Sequence, residues 1–269
     1  MYFTKDIRRG YNSYIDASVD DLGTQMDVGL LVMEDGDTYV INEKEKESAV
    51  LLFEGKVTFR YAGKTVEGER KDCFRHEAYC LLSPRNVKIE LTAHDHAEIY
   101  IQQTLNERDY EPVMYTPETV QVQHAGANGE LMGAMRREIK TFFDYENAPF
   151  SNMVLGEVLN FPGKWSSYPP HHHPQPEIYY YKNNPENGFG YAEVGETVYK
   201  VRSGDTVCIP AGMTHPQCTP PGYALWYLWA ICHLDGCPYK QPEYPVFLPE
   251  HLWVQKKDEP YWGDNYGGK

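Results

Sequence analysis

The stretch His171-His172-His173-Pro174-Gln175-Pro176-Glu177, answered downstream by Gly204-x5-Pro210-x-Gly212-x2-His215, decides how this chain of 269 residues is read. Successive side chains of a β-strand point to opposite faces, so His171 and His173 share a face and His172 points away. Glu177 has the same parity and returns to that face if the strand stays regular. The third imidazole, His215, lies 38 residues past the carboxylate, beyond a Pro-x-Gly turn. Three nitrogens and one oxygen converging on one point make a site for a divalent first-row metal. The expected ligands are therefore His171, His173, Glu177 and His215. Zinc, manganese, iron and nickel all accept this mixture of donors.

On both sides of this pair of motifs the pattern is one of short strands and turns. Residues 29–33, 49–55, 57–63, 78–82, 87–91 and 97–101 are apolar or alternating and are separated by Gly, Asp and Asn turns. A polar link over 103–130 follows, and then a second set of strands at 153–158, 177–181, 198–201, 205–209 and 223–231. Strands this short, at this spacing, indicate a β-sandwich or barrel. Helix is scarce, with one short helix expected over 136–143. Leu82-Ser83-Pro84-Arg85-Asn86 in the first half corresponds in order to Cys208-Ile209-Pro210-Ala211-Gly212 in the second. The halves therefore read as a repeat, divided at 1–125 and 126–269, in which only the second carries the metal motif. The tail from Pro238, rich in Pro, Trp and Tyr, is expected to wrap the surface or to pack at a subunit contact.

Composition narrows the function classes. Hydrophobic residues make up 41 % and aromatics 14 %, with 22 tyrosines, enough for a packed core. A net charge of −14 repels nucleic acid, which excludes general nucleic-acid binding. An anionic small substrate then requires a local basic pocket. No apolar run approaches the roughly 20 residues of a membrane span, and Met1 to Tyr11 lacks a signal-peptide core, so a cytoplasmic protein is expected. Six cysteines without CxxC spacing read as free thiols in a reducing compartment. His94-Asp95-His96-x-Glu98 also pairs a His-x-His with a carboxylate, but no Pro-x-Gly-x2-His element follows it, and it reads as a solvated turn before a strand.

The paired motifs resemble those of the cupin superfamily, here as Gly163-x7-His171-x-His173-x3-Glu177 and Gly204-x5-Pro210-x-Gly212-x2-His215. The first differs from the usual form by two extra residues between Gly and His. More narrowly, Gly163-Lys164-Trp165-Ser166-Ser167-Tyr168-Pro169-Pro170-His171 with Glu177-Ile178-Tyr179-Tyr180-Tyr181 and Gly188-Phe189-Gly190 resembles the 5-deoxy-glucuronate isomerase family of bacterial myo-inositol catabolism. In that family the connection between the second motif histidine and the Glu-Ile-Tyr-Tyr-Tyr strand is longer than the Pro174-Gln175-Pro176 found here. The resemblance implies an all-β fold of two tandem cupin barrels, the first degenerate, and pairing into a homodimer through exposed strand edges. It also implies interconversion of an aldehyde and a ketone in a sugar acid, from 5-deoxy-D-glucuronate to 5-dehydro-2-deoxy-D-gluconate. Zinc or manganese suits such an isomerase, because no electron transfer is needed.

Further residues are then candidates for the chemistry. The resemblance places an arginine near Arg136-Arg137, and Arg137 is the expected clamp for the substrate carboxylate. Tyr179 and Tyr181 share the parity of Glu177 and face the barrel interior. Tyr227 and Trp229 face one side of the last strand and wall the pocket. The base that carries the proton is left open among Glu177, a tyrosine such as Tyr179, and a metal-bound hydroxide. Three other readings stay open: an isomerase of a related uronate, an iron-dependent cupin dioxygenase, and a non-catalytic sugar-acid-binding cupin.

Overall fold

The computed structural model describes residues 2–75 and 77–255. Two tandem β-barrels account for nearly all of it, as the alternating patterns imply. The first is built on a nine-stranded sheet in which Lys46–Tyr61 pairs with four neighbours, Lys64–Arg70, Cys80–Ser83, Ile89–Ala93 and Ala97–Leu105. Sequence reading split this 16-residue strand in two at Gly55. The backbone instead continues through a register shift between Leu52 and Glu54, and Gly55 takes a φ of 99°. A Cβ there would lie 2.4 Å from the His96 carbonyl, so glycine lets the strand bend while staying paired.

The second barrel is built on a seven-stranded sheet ordered Tyr2–Thr4, Asp205–Ile209, Glu177–Asn184, Ala224–Cys232, Met153–Asn160, Arg137–Phe143 and Val122–Ala125. A four-stranded sheet of Trp165–Ser166, Gln217–Cys218, Gly190–Val194 and Thr197–Val201 accompanies it. Two segments numbered within 1–125 thus hydrogen-bond into the second barrel. One is the N-terminal strand, whose Tyr2 hydroxyl and Thr4 hydroxyl both donate to Asp205. The helix expected over 136–143 is absent: Arg137–Phe143 is a strand with antiparallel partners on both edges. Its two ladders satisfy the backbone, and tertiary pairing overrides local propensity.

Strand parity sorts the side chains into three cores. The interior of the first barrel is apolar, filled by residues such as Leu31, Leu52, Phe59 and Ile99. The interior of the second holds Val158, Tyr179, Tyr181, Leu225 and Tyr227. The opposite parity of the same strands forms the interface between barrels, where Phe53 packs 5.5 Å from the Tyr180 ring and 5.0 Å from Trp226. Both faces of Glu177–Asn184 and Ala224–Cys232 are therefore buried, and these strands cannot slip register without exposing one core. Within the interface, Glu157 Oε1 accepts from Arg70 Nη2 and Lys140 Nζ, each at 2.7 Å. Burial alone would raise the Glu157 pKa, but the two cations hold it below the usual carboxylate range. All six cysteines are free thiols, as expected. Among the described residues, no helix is long and apolar enough to cross a membrane.

Candidate active site

The ligand loop and the second motif are fastened to each other before any metal is considered. Gly212, with a φ of 76°, closes the turn after Pro210 and donates its N–H to the His173 carbonyl at 2.8 Å. Glycine adopts this left-handed conformation without strain. The turn delivers His215 into the barrel beside Glu177, the first residue of its strand. As a result, His173, Glu177 and His215, all buried, offer ligand atoms within 4.8 Å of one another. Glu177 Oε2 lies 3.3 Å from Nε2 of both His173 and His215. His171 stands outside that trio but next to it, its ring edge-on to His215 with centroids 4.8 Å apart.

The hydrogen bonds prescribe which ring nitrogens face the centre. His215 Nδ1 lies 3.0 Å from the Met213 carbonyl and His171 Nδ1 3.2 Å from the Pro169 carbonyl. Carbonyls only accept, so each Nδ1 carries the hydrogen and each Nε2 presents a lone pair. Burial, reinforced by neighbouring imidazoles, lowers both pKa values, His171 strongly, and so favours the neutral rings. A lone pair on His215 thus faces a buried carboxylate oxygen, an arrangement that repels unless a cation or a proton lies between them. A backbone carbonyl behind a ligating imidazole is the usual orienting device of metal sites. By this test the residues present fit a divalent cation.

A cavity of about 150 Å³ opens on this cluster. His171, His173, Glu177, Tyr179, His215, Tyr227, Trp229 and Arg137 all line it, which brings together eight of the nine sequence-predicted residues. Tyr181 is the exception. It lies two residues further along the strand, fully buried, and its hydroxyl donates to Gln217 Oε1 at 2.8 Å. Its inward parity was read correctly, but the barrel at that depth is closed by packing. Arg137 donates Nη1 to the Met135 carbonyl at 2.9 Å and forms no ion pair among the described residues. Burial lowers its pKa, an environment in which a guanidinium gains from an anionic partner. The phenols of Tyr179 and Tyr227 are pushed up by burial and remain protonated. Tyr227 shares a 2.5 Å hydrogen bond with Ser166, and the Tyr179 hydroxyl lies 3.5 Å from Ser167.

Three contributors were not singled out from sequence. Ser166 and Ser167 lie in the Trp-Ser-Ser-Tyr-Pro-Pro-His string that carried the resemblance, so a signal existed for them. Tyr239 carried none, because the Pro-, Trp- and Tyr-rich tail, expected to wrap the surface or to pack at a subunit contact, has no periodicity that assigns a face. Instead the tail crosses the site: Val246–Phe247 pairs with His171–His172, Tyr239 stands 5.0 Å from the His173 ring, and Pro245 lines the cavity. Gln175, inside the short Pro-Gln-Pro connection, donates to the Cys237 carbonyl at 2.7 Å. The His94–His96 turn is exposed, as expected. His96 gathers with Glu54 and Glu98, but Lys182 contacts both carboxylates, so an ammonium already pairs with the oxygens a metal would use.

Comparisons with known proteins identify the family and the fold. A family model described as the KduI/IolB family matches residues 4–254. A 5-deoxy-glucuronate isomerase of Geobacillus kaustophilus (strain HTA426) is 31 % identical over 216 residues, covering 73 % of this chain and 75 % of that protein. A 5-deoxy-glucuronate isomerase of Bacillus subtilis (strain 168) is 26 % identical over 224 residues, covering 76 % and 80 %. Among solved structures, an IolB-like protein from Salmonella typhimurium LT2 superposes with a TM-score of 0.83 at 20 % identity, over 95 % of this chain and 99 % of that one. An oxalate decarboxylase of Lactobacillus farciminis superposes with a TM-score of 0.68 at 9 % identity, over 95 % and 90 %, a likeness of fold alone.

Proposed function

The chain belongs to the KduI/IolB family, and from that premise we propose that it is a metal-dependent aldose–ketose isomerase acting on a sugar acid. The substrate is 5-deoxy-D-glucuronate and the product 5-dehydro-2-deoxy-D-gluconate, a step of myo-inositol catabolism in the cytoplasm. The observation that carries this reading is the joint presence, in one cavity, of the buried His173–Glu177–His215 cluster and the Arg137 guanidinium without a carboxylate partner among the described residues. His171, His173, Glu177 and His215 would hold the ion, with zinc or manganese favoured by this nitrogen and oxygen donor set and by chemistry that needs no electron transfer.

The reaction moves a proton between adjacent carbons through an enediol. A divalent ion, when bound, supplies the positive charge that stabilises the oxygen as it becomes anionic. Arg137 takes the substrate carboxylate, which fixes the far end of the chain and aims the carbonyl end at the cluster. Tyr179 and Tyr227, protonated at neutral pH, donate hydrogen bonds to substrate hydroxyls, and Ser166 and Ser167 hold those phenols in place. Trp229 and Tyr239 wall the cavity and exclude water. Glu177 is the only carboxylate among the described residues lining the cavity, and its Oε1 forms no hydrogen bond among them. We assign the proton transfer to this oxygen.

Running the reaction in deuterated water tests the route. Transfer by Glu177 through an enediol leaves deuterium on the carbon that was the aldehyde, read by NMR. A product formed at full rate without deuterium would contradict a route in which the proton carried by Glu177 exchanges with solvent. The Glu177→Gln variant tests the carrier, and retention of turnover in that variant would exclude Glu177.

A further inference from the structure

A second cavity, larger than the one just described, lies away from the metal-ligand cluster. A groove of about 910 Å³ runs along the seam between the barrels, lined by Lys46 and Arg108 from the first half and by Asn152, His233 and Lys240 from the second. Three features give it a chemical character. Arg108 donates Nη1 to the Phe150 carbonyl and to Asn152 Oδ1, at 3.3 and 3.0 Å, and forms no ion pair among the described residues. Lys46 and Lys240 add positive charge; Lys46 is ion-paired to Asp27 with Glu43 and Asp16 nearby, Lys240 is ion-paired to Glu243, and Asp235 is the only carboxylate lining the groove among the described residues. His233 Nδ1 accepts the Tyr239 N–H at 3.0 Å, so its hydrogen lies on Nε2, which is buried without a partner. This nitrogen has almost no exposed surface, so an oxygen acceptor in the groove pairs with it only when the ring tilts toward the groove, which relieves the cost of a buried N–H donor without an acceptor.

The groove also shares a segment with the active site. Pro238 and Lys240 line the groove, while Tyr239 between them lines the catalytic cavity against His173. Consecutive residues of one extended segment therefore face two sites, and the His233–Tyr239 hydrogen bond ties them.

We propose that this seam groove is a second binding site, for a small oxyanion-bearing metabolite with hydroxyl groups, held by Arg108, His233 and Lys240. Occupancy fixes the 238–240 segment and thereby the position of Tyr239 in the active site, a regulatory coupling in which the two sites bias one element. A phosphorylated sugar and a free sugar acid share the required chemistry. The binding claim stands apart from the proposed activity; the coupling claim rests on it.

Calorimetric titration of the metal-loaded full chain with glucose 6-phosphate and, separately, with glucuronate distinguishes the two sources. Arg108→Ala/Lys240→Ala and Arg137→Met variants serve as controls for the two sites. The expected result is one binding event weakened at least about tenfold in the Arg108→Ala/Lys240→Ala protein and unchanged in the Arg137→Met protein. Glucose 6-phosphate binding in this way identifies a phosphate site, and glucuronate alone doing so identifies a sugar-acid site. Glucose 6-phosphate binding that survives loss of Arg108 and Lys240, glucuronate binding that is lost only in the Arg137→Met protein, or no binding of either compound at millimolar concentration, overturns the proposal. For the coupling, the bound compound should shift the KM for the isomerised sugar acid in the wild-type protein and not in the Arg108→Ala/Lys240→Ala variant. An identical shift in both overturns the coupling alone.

Discussion

Glu177 Oε2 lies 3.3 Å from His215 Nε2, although 38 residues separate them in the chain. The Gly212-to-His173 backbone bond holds this approach, and the Met213 carbonyl fixes the imidazole so that its lone pair meets the carboxylate. Truncating His173 or His215 to alanine should therefore remove most bound metal and lower turnover at least about a hundredfold. Metal content and kcat measured on the same preparation check this. Full activity in either variant would show that the centre is placed wrongly.

Arg137 should matter for binding more than for folding. The Arg137→Met variant keeps the aliphatic stem but loses the guanidinium. It should lower kcat/KM for a sugar acid by about 30- to 100-fold, corresponding to roughly 2–3 kcal/mol for a charged hydrogen-bonded contact. The loss should fall mainly on KM. A neutral sugar lacking the carboxylate should be affected little, so comparing the two substrates separates carboxylate recognition from general damage.

The histidines predict an acid limit on stability in metal-free protein. Burial lowers the pKa of His171, His215 and His233, the last to about 4, against an ordinary value near 6.5. Above the ordinary value neither folded nor unfolded chain is charged at these rings. As pH falls through it, only the unfolded chain takes up protons, so stability is lost, and for His233 the loss continues down to about pH 4. Thermal melts of chelator-treated protein should decline through this window, less steeply in a His233→Gln variant. A midpoint that is constant from neutral pH down to about 4 would contradict the assignment.

Glu157 should be a stability residue without a catalytic role. Replacing it with glutamine leaves Arg70 and Lys140 buried beside a neutral group in the inter-barrel interface. A cost of about 3–5 kcal/mol is expected, read by denaturant unfolding, with kcat of the folded fraction unchanged. A near-neutral result would mean that the cations find other acceptors, such as the Leu52 and Arg75 carbonyls they already contact.

Gly156 and Trp229 face each other across paired strands, and a Cβ on Gly156 would lie 2.4 Å from the indole ring. The Gly156→Ala variant should displace this wall of the cavity, costing about 1–3 kcal/mol and raising KM. Unaltered KM with wild-type stability would show that the indole relaxes freely.

Much of this was legible in the sequence because it is local. Alternation in 177–181 and 223–231 specified which side chains enter the barrel, since the strand period fixes parity once pairing exists. The His-x-His-x3-Glu string and the Pro-x-Gly-x2-His turn were readable for the same reason. Long-range placement was not. Residues 136–143 carry no strong period, and only ladders on both edges make them a strand. Gly55 resembles a turn until its partners are known. Tyr239 and Pro245 belong to a segment without periodicity, whose position depends on contacts with Gln175 and His171–His172. The depth at which packing closes the barrel, which removes Tyr181 from the cavity, is likewise a property of the folded interior.

The most direct test of the central claim is to purify the protein, determine its metal content, and follow 5-deoxy-D-glucuronate by NMR. The account predicts about one divalent ion per chain and conversion to 5-dehydro-2-deoxy-D-gluconate, lost on chelation and restored by zinc or manganese. A fully metal-loaded protein that leaves this compound and related uronates unchanged would contradict it.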